Sequence, residues 1–288
     1  MNPSQPASSR ATAAGSRWDP SQYLKYDQHR LRPALDLLGR IPVPEPRSVV
    51  DLGCGAGNVT RILSERWPAA RIVGLDVSAQ MLERAAGTPG RIEWLRADIQ
   101  GWQPPADLAG SVDVLYSNAT LQWLDDHERL FVRLLGHVPA GGCLAVQMPV
   151  SYDNDSHRLM RETWSALEAE GVLGSEPGQA SVRAAVMRRN VLGVDEYFRL
   201  LRPLAAELDI WQTEYLQQLS GTEAVFEWVK ATALRPVLNG LQGTALERFV
   251  ERYRGLLLEA YPPGPDDITL YPFKRLFMVV TRSRGPGT

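Results

Sequence analysis

The sequence predicts a doubly wound α/β fold built on a mostly parallel sheet. Three observations predict it. Strand and helix patterns alternate through the first half of the chain, a glycine-rich turn joins the first strand to the next helix, and polar side chains recur just past successive strands. Strand patterns at 47–51, 71–75, 91–95, 112–117 and 142–148 alternate with helical patterns at 57–67, 78–87 and 126–135. Such alternation puts helices on both faces of a parallel sheet. A short helical pattern from Arg32 to Leu38 leads in, and Pro139-Ala140-Gly141-Gly142 signals a turn before the fifth strand.

After Pro149 the pattern changes. Asn154 to Gly171 is helical, with Leu159, Met160, Thr163, Trp164 and Leu167 near one face. A second helical pattern spans Val191 to Leu201, and 206–216 alternates loosely as a strand. Helices at about 222–231 and 243–260 follow, then a final strand at 273–282. No internal repeat is visible.

The turn is the most informative stretch. Val49-Val50-Asp51-Leu52 reads as a buried strand, and Gly53, Gly55 and Gly57 follow it. Glycines there accept positive φ and let a ligand lie against the backbone, while the next helix offers unpaired N–H groups. Phosphate loops share that geometry. The dinucleotide fingerprint is G-x-G-x-x-G, whereas here the run is G-x-G-x-G with Asn58 in the third fingerprint position. Asp51, two residues before the first glycine, would repel a pyrophosphate and welcome a cation. S-adenosyl-L-methionine, with its positively charged amino-acid portion, fits that better than NAD does. Asp76 ends the second strand and suits ribose hydroxyls, with Val77 and Met81 beside it. Asp98 and Ile99 follow the third strand, where a carboxylate accepts from an adenine amino group. Asn118 follows the fourth. Ligands of open α/β sheets bind beyond the carboxyl ends of the strands. Each acid also has a plain structural alternative: Asp51 as a cap of the turn, Asp76 or Ser78 as a helix N-cap, Asp98 as a loop acid.

Composition narrows the class. A chain of 288 residues suits one elaborated domain or two small ones. A net charge of −2 without a basic run gives no nucleic-acid footprint, and no apolar stretch is long enough to span a membrane. Residues 1–17, rich in Ser, Ala and Pro, read as a disordered tail, and 283–288 as a flexible one. Cys54 and Cys143 read as small buried residues of a reducing compartment, the cytoplasm, rather than a disulfide. His29, His127, His137 and His157 share no metal-ligand spacing, and neither Asp125-Asp126 nor Asp266-Asp267 makes a metal site.

The order Asp51-Leu52-Gly53-Cys54-Gly55-Ala56-Gly57-Asn58, then Gly74-Leu75-Asp76-Val77-Ser78, then Ala97-Asp98-Ile99, resembles the class I S-adenosylmethionine-dependent methyltransferases. The likeness narrows to the trans-aconitate methyltransferase family. It rests on Trp18-Asp19-Pro20-Ser21-Gln22-Tyr23-Leu24, Arg30 to Ala34, Ser117 to Leu124, Leu144 to Pro149, Trp228 to Val237 and Tyr271 to Phe277, and runs from about Trp18 to Arg282. The resemblance implies a Rossmann-like core over 18–149 within a seven-stranded sheet. Antiparallel edge strands at 206–219 and 268–282 complete the sheet, and a helical cap at 150–205 and 220–265 lies over the strand ends. It also implies methylation of a small-molecule carboxylic acid to an ester, and the chain is expected to act as a monomer.

Carboxylates are ionised near neutrality, so this reaction needs no general base, and no catalytic acid or base is expected. Alignment and exclusion of water are the protein's part. A polycarboxylate needs cationic and hydroxyl partners for its other groups, and arginine matches a carboxylate in bidentate fashion. The segments that carry the resemblance offer Arg235, Tyr271 and Arg275, with Tyr23 and Arg32 in the N-terminal segment and Trp123 as a wall beside the fourth strand. Lys274 and Arg275 alternate on a strand, so one of the two points inward. Two other readings stand beside this one: a small-molecule O- or C-methyltransferase with another acceptor, and a non-catalytic S-adenosylmethionine-binding regulator.

Overall fold

The computed structural model describes residues 28–87, 90–173 and 177–284. The expected N-terminal tail, Tyr23, and residues 285–288 of the expected C-terminal tail lie outside them. The chain forms the expected doubly wound, mostly parallel seven-stranded sheet, in the order β3-β2-β1-β4-β5-β7-β6. Its strands are β1 (Ser48–Leu52), β2 (Arg71–Asp76), β3 (Ile92–Arg96), β4 (Val114–Asn118), β5 (Cys143–Pro149), β6 (Ala205–Ser220) and β7 (Ile268–Arg282). Strands β1 to β5 pair in parallel. Strand β7 is antiparallel to both of its neighbours, β5 and β6.

The order of burial explains the order of strands. All five residues of β1 are buried, as a central strand covered on both faces requires. Strand β3 at one edge is half exposed and carries Glu93 and Arg96, charges that suit an edge. Successive side chains alternate between faces. On one face Val50, Leu115, Val146 and Met278 pack with Leu130, Phe131 and Leu134 of α4 (His127–Gly136) and with Tyr197 and Leu201 of α7 (Val194–Leu201). On the other, Val49, Tyr116, Ala145 and Phe277 pack with Leu35 and Leu38 of α1 (Gln28–Leu38) and with Ile62 of α2 (Asn58–Arg66). The Tyr116 hydroxyl donates to the Ala34 carbonyl at 2.9 Å, which ties α1 to β4. Helix α3 (Ala79–Ala85) follows β2, with Ser78 as its N-cap.

A third apolar cluster lies beyond the sheet. It joins α5 (Asp155–Ala169), α6 (Pro177–Met187), α8 (Ala224–Lys230), α9 (Arg235–Gly240) and α10 (Gly243–Ala260) around Trp164, Phe249 and Tyr253. The hairpin of β6 and β7 reaches into it. These strands pair from Ala205↔Arg282 to Ser220↔Ile268, while β5 uses only the stretch of β7 from Thr281 to Arg275. The remainder, ending in Tyr271 and Phe273, is an arm on which the helices gather. Helix α6 has no counterpart among the helices read from periodicity, because its Ala- and Arg-containing run shows no strong apolar stripe. Helix α1 begins a turn before Arg32 and carries Pro33 inside it, where the ring removes one backbone donor.

Candidate active site

The glycine turn hangs from the end of β2. The Gly53 and Cys54 amides donate to the Leu75 carbonyl at 2.7 and 2.9 Å, and Gly57 N–H closes the turn on the Cys54 carbonyl at 3.0 Å. Gly53, Gly55 and Gly57 all take positive φ, at 75°, 55° and 82°. Their surroundings differ. A Cβ on Gly53 would meet Thr120 side-chain atoms at 2.1–2.7 Å, whereas a Cβ on Gly55 would meet nothing within 4 Å. Gly53 thus lets β4 close on β1, and Gly55 borders open space. Helix α2 starts at Gly57 without a side-chain cap, so its first amides are available as donors.

Asp51 lies beneath this loop at 2% exposure and accepts from the Thr60 hydroxyl at 2.6 Å. Burial pushes its carboxyl up to about 7; the Thr60 hydrogen bond opposes the rise, and the charge of Asp76 adds to it. Asp76 accepts from the Gly55 amide at 2.9 Å and the Ser78 amide at 2.8 Å, so it clamps the turn to the start of α3. Its carboxylate keeps further acceptor capacity toward a ligand. Val77 beside it is 63% exposed, and Met81 is half-buried on the first turn of α3. Asp98 is exposed and accepts from the Gln100 amide at 2.9 Å, while Ile99 is buried. Arg133 braces this loop from behind, donating to the Ile99 and Trp102 carbonyls at 2.7 Å each.

Asn118, the last residue of β4 rather than the first beyond it, is half-buried, and Ala119 after it adopts φ 55°. The Thr120 hydroxyl donates to the Gly53 carbonyl at 3.2 Å, which fixes this loop to the glycine turn. A single 3-10 turn, Leu121–Trp123, follows and leaves the Trp123 ring 59% exposed. Buried His127 holds the turn through Nε2 and the Leu121 carbonyl at 2.9 Å. Its burial lowers its pKa, so this histidine packs a loop rather than carrying charge. Arg188 and Asn190 reach the same turn from the chain after α6, through Asp125 and the Gln122 carbonyl.

The cationic residues separate into two places. Arg32 lies over the Tyr215 ring at 5.3 Å, and Arg275 is close enough to oppose the burial-driven rise of the same tyrosine's pKa. The Tyr215 hydroxyl donates to Asp36 at 2.6 Å. Arg275 is 6% exposed and stacks on Phe273 at 4.3 Å, paired in register with Pro149 at the carboxyl end of β5. Lys274, its neighbour, is exposed. Of this adjacent pair, then, Arg275 points inward. Tyr271 is wholly buried in the cap cluster, its hydroxyl 2.9 Å from Ser156 Oγ. Arg235 is exposed on the first turn of α9 and makes none of the described ion pairs. The structure therefore gathers Arg32 and Arg275 around Tyr215 and leaves Arg235 and Tyr271 on the cap side. Among the described residues no cluster of His, Cys, Asp and Glu could hold a metal, and no helix is long and apolar enough to cross a membrane.

Known proteins give this arrangement its family. A family model described as a methyltransferase domain matches residues 49–142. The trans-aconitate 2-methyltransferase of Pseudomonas aeruginosa is 44% identical over 271 residues, which cover 93% of this chain and 95% of that protein. That of an Azoarcus strain is 44% identical over 92% of this chain and 99% of its own. The chain belongs to the trans-aconitate 2-methyltransferase family. The crystal structure of the YcgJ protein from Bacillus subtilis matches the fold alone, with a TM-score of 0.56 at 11% identity over 88% of this chain and 99% of that one.

The fold of this trans-aconitate 2-methyltransferase relative also brings forward residues that sequence patterns do not single out. Asp36 and Tyr215 are one pair, joined across 179 positions of chain. Gln147 is a third such residue, a wholly buried amide inside an apolar strand. A lone glutamine in the run Leu144-Ala145-Val146-Gln147-Met148 was the available signal, since amides are seldom fully buried without a reason.

Proposed function

We propose that this chain transfers the methyl group of S-adenosyl-L-methionine to a carboxylate of trans-aconitate or a closely similar small polycarboxylic acid, giving a methyl ester. The carrying observation is the reach of the kinship: identity of 44% extends over 93% of the chain and 95% of the Pseudomonas relative. The matched stretch is long enough to take in the cap as well as the glycine turn, which supports a common acceptor as well as a common donor.

The residues at the strand ends fit the cofactor. Gly55 borders the space a backbone-hugging ligand needs, and no basic side chain lies in the turn 51–58 to pair with a pyrophosphate. The cofactor supplies, when bound, an electrophilic methyl on a cationic sulfur. Asp51 sets a buried negative potential beneath the loop and, with the glycine backbone, holds the methionine portion. Asp76 takes the ribose, Val77 and Met81 flank the adenosine, and Asp98 with Ile99 takes the adenine. Asn118 and Trp123 border the reacting groups. Arg32 and Arg275 then hold carboxylates that do not react, and each offers a planar fork that matches a carboxylate. Arg235 serves the same acid from the cap and Tyr23 from the N-terminal segment, while Tyr271, wholly buried with its hydroxyl on Ser156, supports the cap from within. The acceptor oxygen is already anionic near neutral pH. Orientation therefore supplies the rate, and good alignment is worth about 7–11 kcal/mol in favourable cases.

The cytoplasm as compartment and a monomeric state complete the proposal. The two free, buried cysteines support the first, and sedimentation would test the second. The reaction is tested with a labelled methyl donor across aconitate, citrate, isocitrate and a catechol. Base-labile label on aconitate is expected; base-stable label, or label only on the catechol, would overturn the ester. Calorimetry with S-adenosylhomocysteine and NAD tests the donor, with tight binding expected for the first alone.

A further inference from the structure

Gln147 is fully buried, and neither its Nε2 nor its Oε1 has a hydrogen-bond partner. A buried amide left this way costs stability, and native structures rarely keep one without use. Its position bears on that use. Gln147 pairs in register with Asn118 on β4 and with Phe277 on β7. It shares the sheet face of Tyr116, Ala145 and Phe277. Arg275, two residues from Phe277 on that face, is a diagonal neighbour, a spacing of about 7–8 Å between strands. Asn118 Oδ1 is also buried without a partner. Two residues beyond Asn118, Thr120 touches the Gly53 carbonyl. Gln147 therefore stands between the glycine turn and Arg275.

We propose that Gln147 is a specificity-determining residue that binds the two reactants from one amide. Its Nε2–H donates to a carboxylate oxygen of the acid that is not methylated. Its Oε1, with Asn118 Oδ1, accepts from the cationic amino group of the methyl donor. An anion alone offers only acceptors, so it satisfies one end of the amide; a cation beside it satisfies the other. A lysine at this place would serve the acid but repel the donor. This inference deepens the polycarboxylate reading and rests on it.

The test uses two variants of the full chain. Gln147→Met is close in shape and removes both polar ends. Its KM for trans-aconitate rises about tenfold, a loss of about 1.4 kcal/mol, while kcat stays within about threefold. Its Tm rises by about 2–4 °C, because an unsatisfied amide is gone from the apo protein. Gln147→Glu keeps an acceptor and loses the donor. Calorimetry then finds S-adenosylhomocysteine bound as in the wild type and trans-aconitate binding lost in its presence. Unchanged KM with a lowered Tm in Gln147→Met, or trans-aconitate binding retained by Gln147→Glu, would overturn the proposal and leave the amide as an element of packing or a water site. Wild-type protein that binds S-adenosylhomocysteine yet methylates no polycarboxylate would instead overturn the reading beneath it.

Discussion

The donor side and the acceptor side of this site are built in different ways. The donor side proposed above is mostly backbone: three glycines at positive φ, amides hung on Leu75, and loops pinned by Asp76, Thr120 and Arg133. The acceptor side proposed above is mostly side chain: Arg32 from α1, Tyr215 from β6 and Arg275 from β7, gathered from distant segments. A backbone site tolerates little, because its atoms belong to the fold itself. A side-chain site can be retuned one residue at a time, which suits the half of an enzyme that selects its acceptor.

Substitutions in the glycine turn test the rigid half and carry the largest expected effects. Gly53→Ala places a Cβ into Thr120 and should cost about 2–4 kcal/mol of stability in urea denaturation, from strain and overpacking together. Gly55→Ala, with open space around it, should cost only about 1 kcal/mol of stability yet weaken S-adenosylhomocysteine binding at least about tenfold by calorimetry. Retained affinity in Gly55→Ala would mean that the space is not the ligand's.

The acceptor half comes next. Arg275→Met should raise the KM for trans-aconitate about thirtyfold, in line with the loss of one partner of a desolvated pair, and leave cofactor affinity within about twofold. Arg275→Lys should not restore it, since a point charge does not replace a planar fork. Exposed Arg235→Ala should change KM by about threefold or less. A larger effect at Arg235 than at Arg275 would move the acid toward α9.

Asp51 gives the donor half a dependence on pH. Its carboxyl is raised from 3.8 to about 7 in the fold, so the folded protein keeps a proton that the unfolded chain releases. Its contribution to stability is full below the unfolded value and declines as pH rises toward about 7. A cation bound above the loop favours the ionised form. Binding of S-adenosylhomocysteine should therefore release protons and tighten by about tenfold from pH 6 to 8, as read by calorimetry in buffers of different ionisation enthalpy. Asp51→Asn should flatten that profile. An effect as small as that at Arg235 is expected at Trp123, which is 59% exposed. Trp123→Ala should leave stability within about 0.5 kcal/mol and raise KM only a few-fold in the methyl assay.

The same division governed what could be read from the chain. The succession of strands and helices on the donor side follows from local alternation, and Asp76, Asp98 and Asn118 fall at or near strand ends by position alone. Pairing decided the rest. Whether Lys274 or Arg275 turns inward depends on the register of β7 against Pro149, which no local pattern carries. Tyr271, expected at the acid, lies with its hydroxyl beside Ser156 in the cap, 115 positions earlier in the chain. Asp51 reads as a ligand-facing acid in sequence, and its burial beneath Thr60 emerges only once α2 folds back over β1.

The β6–β7 arm has a further consequence for anyone reshaping this enzyme. Two long paired strands run from the sheet into the cap, so the cap is not a module with a clean seam. A chimera that exchanged only the helices between relatives would place new side chains on an old girder. Exchange of acceptor preference should therefore succeed where the whole hairpin, from Ala205 to Ser220 and from Ile268 to Arg282, travels with the helices that it carries.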